Sequence, residues 1–265
     1  MGKKQRTAAA PRPRSRATQC AAGAWLATAP PRTATLPAFL PVLPPTDEYF
    51  KIPSDETQPP RSLEATGAVR VADALGPCVI TAGPALTEEE CYAWIAWGEV
   101  GGVNVTEKPR AIRGFKEEKL KRTAETAERV YGQLSVESPD VAEAIFRRLR
   151  PLLPDALYGK KPAGCNSDIR LYRYTEGQRV GRHVDGAKIT PKGRTEFTVL
   201  MYLSECDGGA TQFFRDHDGP TVLYEFQPTQ GAVLLHAHGQ RCLTHAGAPV
   251  RGGTKYLLRT DVVYQ

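Results

Sequence analysis

From Asp168 onward the sequence breaks into short apolar or alternating runs separated by Gly, Asp and Pro, and this spacing limits the fold more than any other feature. The runs cover 169–174, 197–203, 211–214, 222–226, 232–235 and 256–264. No interval between them holds a helix of ordinary length, so they must join as antiparallel neighbours and not as βαβ units. The reading predicts a mainly β sandwich or jelly roll, with helices confined to the preceding residues.

Two such helices are predicted. Thr87 is a good N-cap, Glu90 three residues on closes a capping box, and Glu88 and Glu89 suit the positive end of the helix dipole. Cys91, Trp94 and Ile95 then form a buried stripe, with Trp97 and Gly98 near the helix end. A second helix over 140–150 follows from Val141, Ala144, Ile145 and Leu149 at helical spacing, stopped by Pro151. Short strands are predicted at 68–72 and 78–80, and polar loops at 101–122 and 186–194.

The net charge of +6 invites a nucleic-acid reading until it is divided along the chain. The first 46 residues hold seven Lys or Arg and no acid, which leaves 28 basic and 29 acidic residues for the rest. The fold therefore lacks the excess that phosphate backbones require, and no nucleic-acid partner is needed. Eleven of the 22 prolines fall in the first 60 residues, so 1–66 reads as a disordered basic tail and 67–265 as one domain. The tail fits a cytoplasmic or nuclear protein or an organelle-import segment, and no apolar run is long enough for a membrane helix. Six cysteines without paired metal-ligand spacing read as reduced, mostly buried thiols.

His183-Val184-Asp185 sets an imidazole and a carboxylate two positions apart, so at a strand end both point to one side of the sheet. His245 stands beside a later strand that an antiparallel sandwich can return next to the first. Two histidines and one carboxylate on one face of a metal make the facial triad of non-haem Fe(II) oxygenases, with coordination positions left open. His236 and His238 read instead as strand-end and loop histidines, and His217 as part of a surface turn.

Around these residues, five blocks occur in order: Leu86-Thr87-x-Glu89-Glu90-Cys91, Tyr174-x-x-Gly177-Gln178 before His183-x-Asp185, Thr198-Val199-Leu200-Met201-Tyr202-Leu203 with Gly208-Gly209-x-Thr211-x-Phe213, Pro228-x-x-Gly231-x-x-Leu234-Leu235, and His245-x-Gly247-x-Pro249-Val250-x-x-Gly253-x-Lys255. In these blocks, which span roughly 68–265, the chain resembles the prolyl 4-hydroxylase-like branch of the iron and 2-oxoglutarate dependent dioxygenases. The resemblance implies a double-stranded β-helix with Fe(II) held by His183, Asp185 and His245, and no catalytic side chain beyond that centre. It further implies 2-oxoglutarate as cosubstrate, O2 as oxidant, support by ascorbate, succinate and CO2 as co-products, and a prolyl residue of a protein or peptide as substrate. Lys255 is the position implied for the far carboxylate of 2-oxoglutarate.

Arg259, four residues along the same strand, faces the same way and is an equal choice, or else pairs with Asp261. Tyr174, with Tyr172 as its rival, is the candidate hydroxyl donor to that carboxylate, and Thr198 the candidate pocket-lining residue. Two other readings stay open: a superfamily oxygenase acting on nucleic acid or a small molecule, and a jelly-roll binding module without turnover. Oligomeric state has no signature in the sequence.

Overall fold

The computed structural model describes residues 78–99, 103–104, 112–123 and 127–265. The tail predicted over 1–66, the start of the domain near Gly67 and the strand predicted over 68–72 lie outside the described residues. Strands β1 (Val79–Ala82), β2 (Val103–Asn104), β3 (Ile112–Arg113), β4 (Lys116–Leu120) and β5 (Arg129–Glu137) come first, with helix α1 (Glu88–Glu99) between β1 and β2. Helix α2 (Pro139–Leu149) follows, then β6 (Pro162–Cys165), β7 (Asp168–Tyr174), β8 (Arg179–His183), β9 (Ile189–Thr190), β10 (Gly193–Tyr202) and β11 (Asp207–Gly208). The chain ends in β12 (Thr211–Phe214), β13 (Val222–Phe226), β14 (Val233–Ala237), β15 (His245–Gly247), β16 (Val250–Gly252) and β17 (Lys255–Tyr264).

One antiparallel sheet runs in the order β1-β14-β10-β17-β7-β5-β8-β15-β12-β13. β5 pairs with β7 along most of its length and with β8 at its start, so it carries the sheet round from one wall to the other. The result is the curled, mainly β jelly roll that the turn spacing predicts. Strand alternation divides its apolar residues into two layers. Ile169 and Leu171 of β7, Phe197, Val199 and Met201 of β10, and Leu258 and Val262 of β17 pack outward against α1 and α2. Tyr172, Tyr174, Leu200, Tyr202, Phe213, Leu234 and Leu257 face into the barrel.

Both helices form for the reasons their sequences suggest. The Thr87 amide donates to Glu90 Oε2 at 2.7 Å and the Glu90 amide to Thr87 Oγ1 at 3.2 Å, the reciprocal bonds of a capping box. Glu90 also accepts from both terminal nitrogens of Arg148 at 2.7 and 2.9 Å, which fastens α1 to α2. Ser138 caps α2, its Oγ accepting from the Val141 amide. Ile95 is half-buried where the predicted stripe had it buried, and Trp97 and Gly98 take up the packing instead.

The loop predicted over 101–122 is a correction: 116–120 forms β4, an edge strand on β5. Its Lys-Glu-Glu-Lys-Leu sequence is largely exposed and carries no apolar alternation to read, as suits an edge strand guarded by charge. β5 was not predicted either, because Gly132 interrupts its pattern. A Cβ there would lie 2.9 Å from Glu117 Oε1 and 3.2 Å from Phe115 Cβ, so glycine lets these side chains pack closely over β5. Among the described residues no helix is long and apolar enough to cross a membrane, and Cys78, Cys91, Cys165, Cys206 and Cys242 are unpaired thiols.

Candidate metal centre

β8 and β15 lie side by side with His183 directly opposite His245, and their ring centroids are 4.2 Å apart. Asp185 stands just beyond the end of β8, its Oδ1 3.6 Å from His183 Nε2. The three residues offer ligand atoms that all lie within 4.8 Å of one another. His183 Nδ1 lies 2.9 Å from Gly181 O and His245 Nδ1 2.9 Å from Leu243 O. A carbonyl can only accept, so each Nδ1 carries the proton and each Nε2 keeps its lone pair for a metal.

The electrostatics suit the same use. Burial pulls His183 below its ordinary pKa, and burial together with the neighbouring His183 pulls His245 down to about 4. Both are therefore neutral imidazoles near pH 7, as metal ligands must be. Burial alone would raise the Asp185 carboxyl, but the Arg259 guanidinium beside it holds it well below the usual carboxylate range.

A buried polar chain fixes that carboxylate. Thr198 Oγ1 donates to Asp185 Oδ2 at 2.8 Å. Its single proton is then used, so His238 Nε2, 2.7 Å away, and Arg259 Nη2, 3.2 Å away, must both donate to it. His238 Nδ1 in turn accepts from Thr195 Oγ1 at 3.0 Å. Arg259 Nη2 also donates directly to Asp185 Oδ2 at 2.8 Å and lies 3.8 Å from Asp261 Oδ1. The register explains the convergence: Thr198 of β10 sits opposite His236 of β14 on one side and Asp261 of β17 on the other, so all three face the interior.

Lys255 differs from Arg259 in having no carboxylate beside it among the described residues. It is 3% exposed, its Nζ donates to Gly209 O at 2.6 Å, and it lies 5.3 and 5.4 Å from the ring centroids of Tyr174 and Tyr202. Burial pulls its pKa down to about 8. Gly209, at φ +65°, makes room: a Cβ there would meet Cys206 Sγ at 2.9 Å and Lys255 Cδ at 3.3 Å. Tyr172 and Tyr174 line the barrel on β7, and Tyr131 of β5 closes the cluster with ring centroids 4.9 and 5.4 Å from theirs. Each sequence-predicted residue thus faces one interior, with Asp185, Thr198 and Arg259 at the metal end and Lys255 paired to Tyr174 further along β17.

His236 lies near the end of β14 and His238 just beyond it, as predicted. They are 2% and 3% exposed, and His236 Nε2 lies 3.7 Å from Asp185 Oδ2. Leu234, His236 and His238 alternate on the interior face, a period-two signal present in the sequence. Tyr131 was missed along with β5. His217 is exposed in a bend, as predicted.

The donor set fits an iron centre: two neutral imidazoles with carbonyl-fixed tautomers, one ionised carboxylate, and nearby buried polar atoms, Arg259 Nε and His236 Nδ1, without hydrogen-bond partners. Residues 169–260 match the family described as the 2OG-Fe(II) oxygenase superfamily. The matched segment, which is less than half of the chain, contains His183, Asp185 and His245. With that triad inside it, the chain is a 2-oxoglutarate-dependent dioxygenase.

Among solved structures, the viral collagen prolyl hydroxylase of Paramecium bursaria Chlorella virus-1 in its 2OG complex is 19% identical, with 70% of this chain and 95% of that chain covered and a TM-score of 0.48. A Pseudomonas putida prolyl-4-hydroxylase is 16% identical over 70% of this chain and 92% of its own, with a TM-score of 0.46. An oxidoreductase of the 2OG-Fe(II) oxygenase family from Burkholderia pseudomallei is 21% identical over 70% and 85%, with a TM-score of 0.42. No curated protein matches the sequence.

Proposed function

We propose that this dioxygenase hydroxylates a prolyl residue of a protein or peptide, consuming O2 and 2-oxoglutarate and releasing succinate and CO2. The carrying observation is the convergence of His183, Asp185 and His245 in one barrel with a buried lysine that lacks an anion among the described residues. His183, Asp185 and His245 would hold Fe(II), which supplies the activation of O2 when bound, and ascorbate would keep it reduced. Lys255 receives the far carboxylate of 2-oxoglutarate, an anion whose arrival ends the isolation of a buried cation. Arg259, Thr198 and His238 keep the Asp185 carboxylate in one orientation, since each of its neighbours is itself held. Tyr131, Tyr172, Tyr174 and Leu257 line the interior and exclude water from it.

Two features support Lys255 over Arg259 as the partner of the far carboxylate. Arg259 is already engaged with Asp185 at 2.8 Å, whereas among the described residues the Lys255 ammonium has only a backbone carbonyl and two aromatic faces. The prolyl assignment rests on the motif order from Leu86 to Lys255, which is that of the prolyl 4-hydroxylase-like branch. Its test is a library of proline-containing peptides incubated with Fe(II), 2-oxoglutarate and ascorbate in air and read by fragmentation mass spectrometry. One added oxygen atom on a prolyl residue is the expected result. Oxygen added only to other residues, or only to nucleic-acid or small-molecule substrates tried in parallel, overturns it.

A further inference from the structure

His245 lies between two imidazoles. Its ring centroid is 4.2 Å from that of His183 on one side and 4.2 Å from that of His236 on the other, at interplanar angles of 52° and 51°. The iron reading uses His183 and leaves His236 without a role. Yet His236 is 2% exposed, and its Nδ1 has no hydrogen-bond partner among the described residues, a costly arrangement for a ring buried only to fill space.

Cys242 completes the pattern. Its Sγ is 3.8 Å from His245 Nδ1, and His236, Cys242 and His245 offer ligand atoms that all lie within 4.8 Å of one another. The Asp185 amide donates to Cys242 Sγ at 3.1 Å, which places a donor where a thiolate would need one. Zinc bonds of roughly 2.0–2.3 Å in a tetrahedron set donors about 3.5 Å apart, so small side-chain rotations close the set.

We propose that His236, Cys242 and His245 form a second metal site, selective for a thiophilic divalent ion such as Zn2+ and mutually exclusive with iron at His183, Asp185 and His245. The proposal builds on the iron reading above. Selectivity follows from the donors, since a thiolate with two imidazoles favours a softer ion than a carboxylate with two imidazoles does. Exclusivity follows from His245: a metal on its Nδ1, the nitrogen 3.8 Å from Cys242 Sγ, replaces the proton now given to Leu243 O, so the neutral ring carries its proton on Nε2 and has no lone pair left for iron. Binding breaks the Cys242 S–H bond, forms a metal–sulfur bond and releases one proton to solvent, with no change of oxidation state. A thiophilic ion at this site would switch the enzyme off by drawing His245 away from iron.

Co(II) is the probe, because a thiolate ligand gives it a near-ultraviolet charge-transfer band that nitrogen and oxygen ligands do not. The full chain, stripped of metal, is titrated with Co(II) as wild type, Cys242→Ser, His236→Phe and His183→Ala. The band is expected in wild type and His183→Ala, absent in Cys242→Ser and at least about tenfold harder to saturate in His236→Phe. In the Fe(II)-loaded enzyme, Zn2+ is expected to suppress succinate formation at about tenfold lower concentration in wild type than in Cys242→Ser. No band in wild type, an unchanged band in Cys242→Ser, or equal Zn2+ sensitivity of the two enzymes overturns the proposal. Failure of the iron reading looks different: the band is present, but wild type forms no succinate with or without Zn2+.

Discussion

Replacing Lys255 by Met should move stability and cosubstrate binding in opposite directions. Burial lowers the lysine from 10.5 to about 8, and that gap corresponds to about 3 kcal/mol at 1.36 kcal/mol per pH unit. Between these two values the unfolded chain holds the proton and the native chain has released it, so stability rises with pH across the window. Below pH 8 the native state bears the whole cost of the buried cation. Methionine has a similar shape and no charge, so it removes that cost. Against this stands the loss of the bond to Gly209 O, which leaves a buried carbonyl unmet at a cost of about 1–3 kcal/mol. The variant should therefore unfold at neutral pH no more readily than wild type, and its stability should stay flat between pH 8 and 10.5 where wild type gains. Binding changes the other way, because removing one partner of a buried charge pair costs about 2–5 kcal/mol, a loss of roughly 30- to several-thousand-fold in 2-oxoglutarate affinity. Thermal melts over a pH series and anaerobic calorimetry of the Fe(II)-loaded protein measure both. A variant that is clearly less stable and binds 2-oxoglutarate as wild type does would make Lys255 a structural residue and refute the reasoning.

Thr198→Val keeps the shape of the side chain but removes the donor to Asp185 and the acceptor for His238. Fe(II) affinity, read by competition with a chelator, should fall about 10- to 100-fold. Glu90→Ala breaks the buried, bidentate pair with Arg148 and the capping box together. It should cost about 3–5 kcal/mol in urea unfolding while 2-oxoglutarate affinity is unchanged, since α1 lies outside the barrel. Gly209→Ala forces a side chain onto a positive φ and against Cys206 and Lys255. It should cost about 1–3 kcal/mol and, unlike Glu90→Ala, weaken 2-oxoglutarate binding in the same calorimetric assay.

The sequence was most legible where local pattern and tertiary demand agree. Six strand runs appear as predicted within a few residues, with Thr211–Phe214 and Val222–Phe226 matching their predicted ends. Thr87 and Glu90 make the reciprocal bonds that their spacing announces. The His-x-Asp pair and the distant histidine were readable because a metal needs those atoms together and strand alternation can supply them. The misses have one physical root: their meaning lies in the neighbour across the sheet. β4 and β5 are held by pairing that neither segment reveals alone, one charged and the other interrupted by Gly132. His236 and His238 read as incidental because nothing along the chain shows that Thr198 lies opposite one and hydrogen-bonds the other. The same holds for Lys255 and Arg259, indistinguishable by strand position until Asp185 is seen to take one and leave the other.

Succinate formation by anaerobically purified protein, supplied with Fe(II), 2-oxoglutarate and ascorbate and then exposed to air, tests the central claim most directly when wild type is compared with His245→Ala. The account requires succinate from wild type and none from the variant, whose iron has lost one of its two imidazole ligands. Equal succinate from both proteins would contradict the assignment of His183, Asp185 and His245 as the iron centre. No succinate from wild type with iron shown to be bound, even in the presence of peptide, would contradict the oxygenase activity itself.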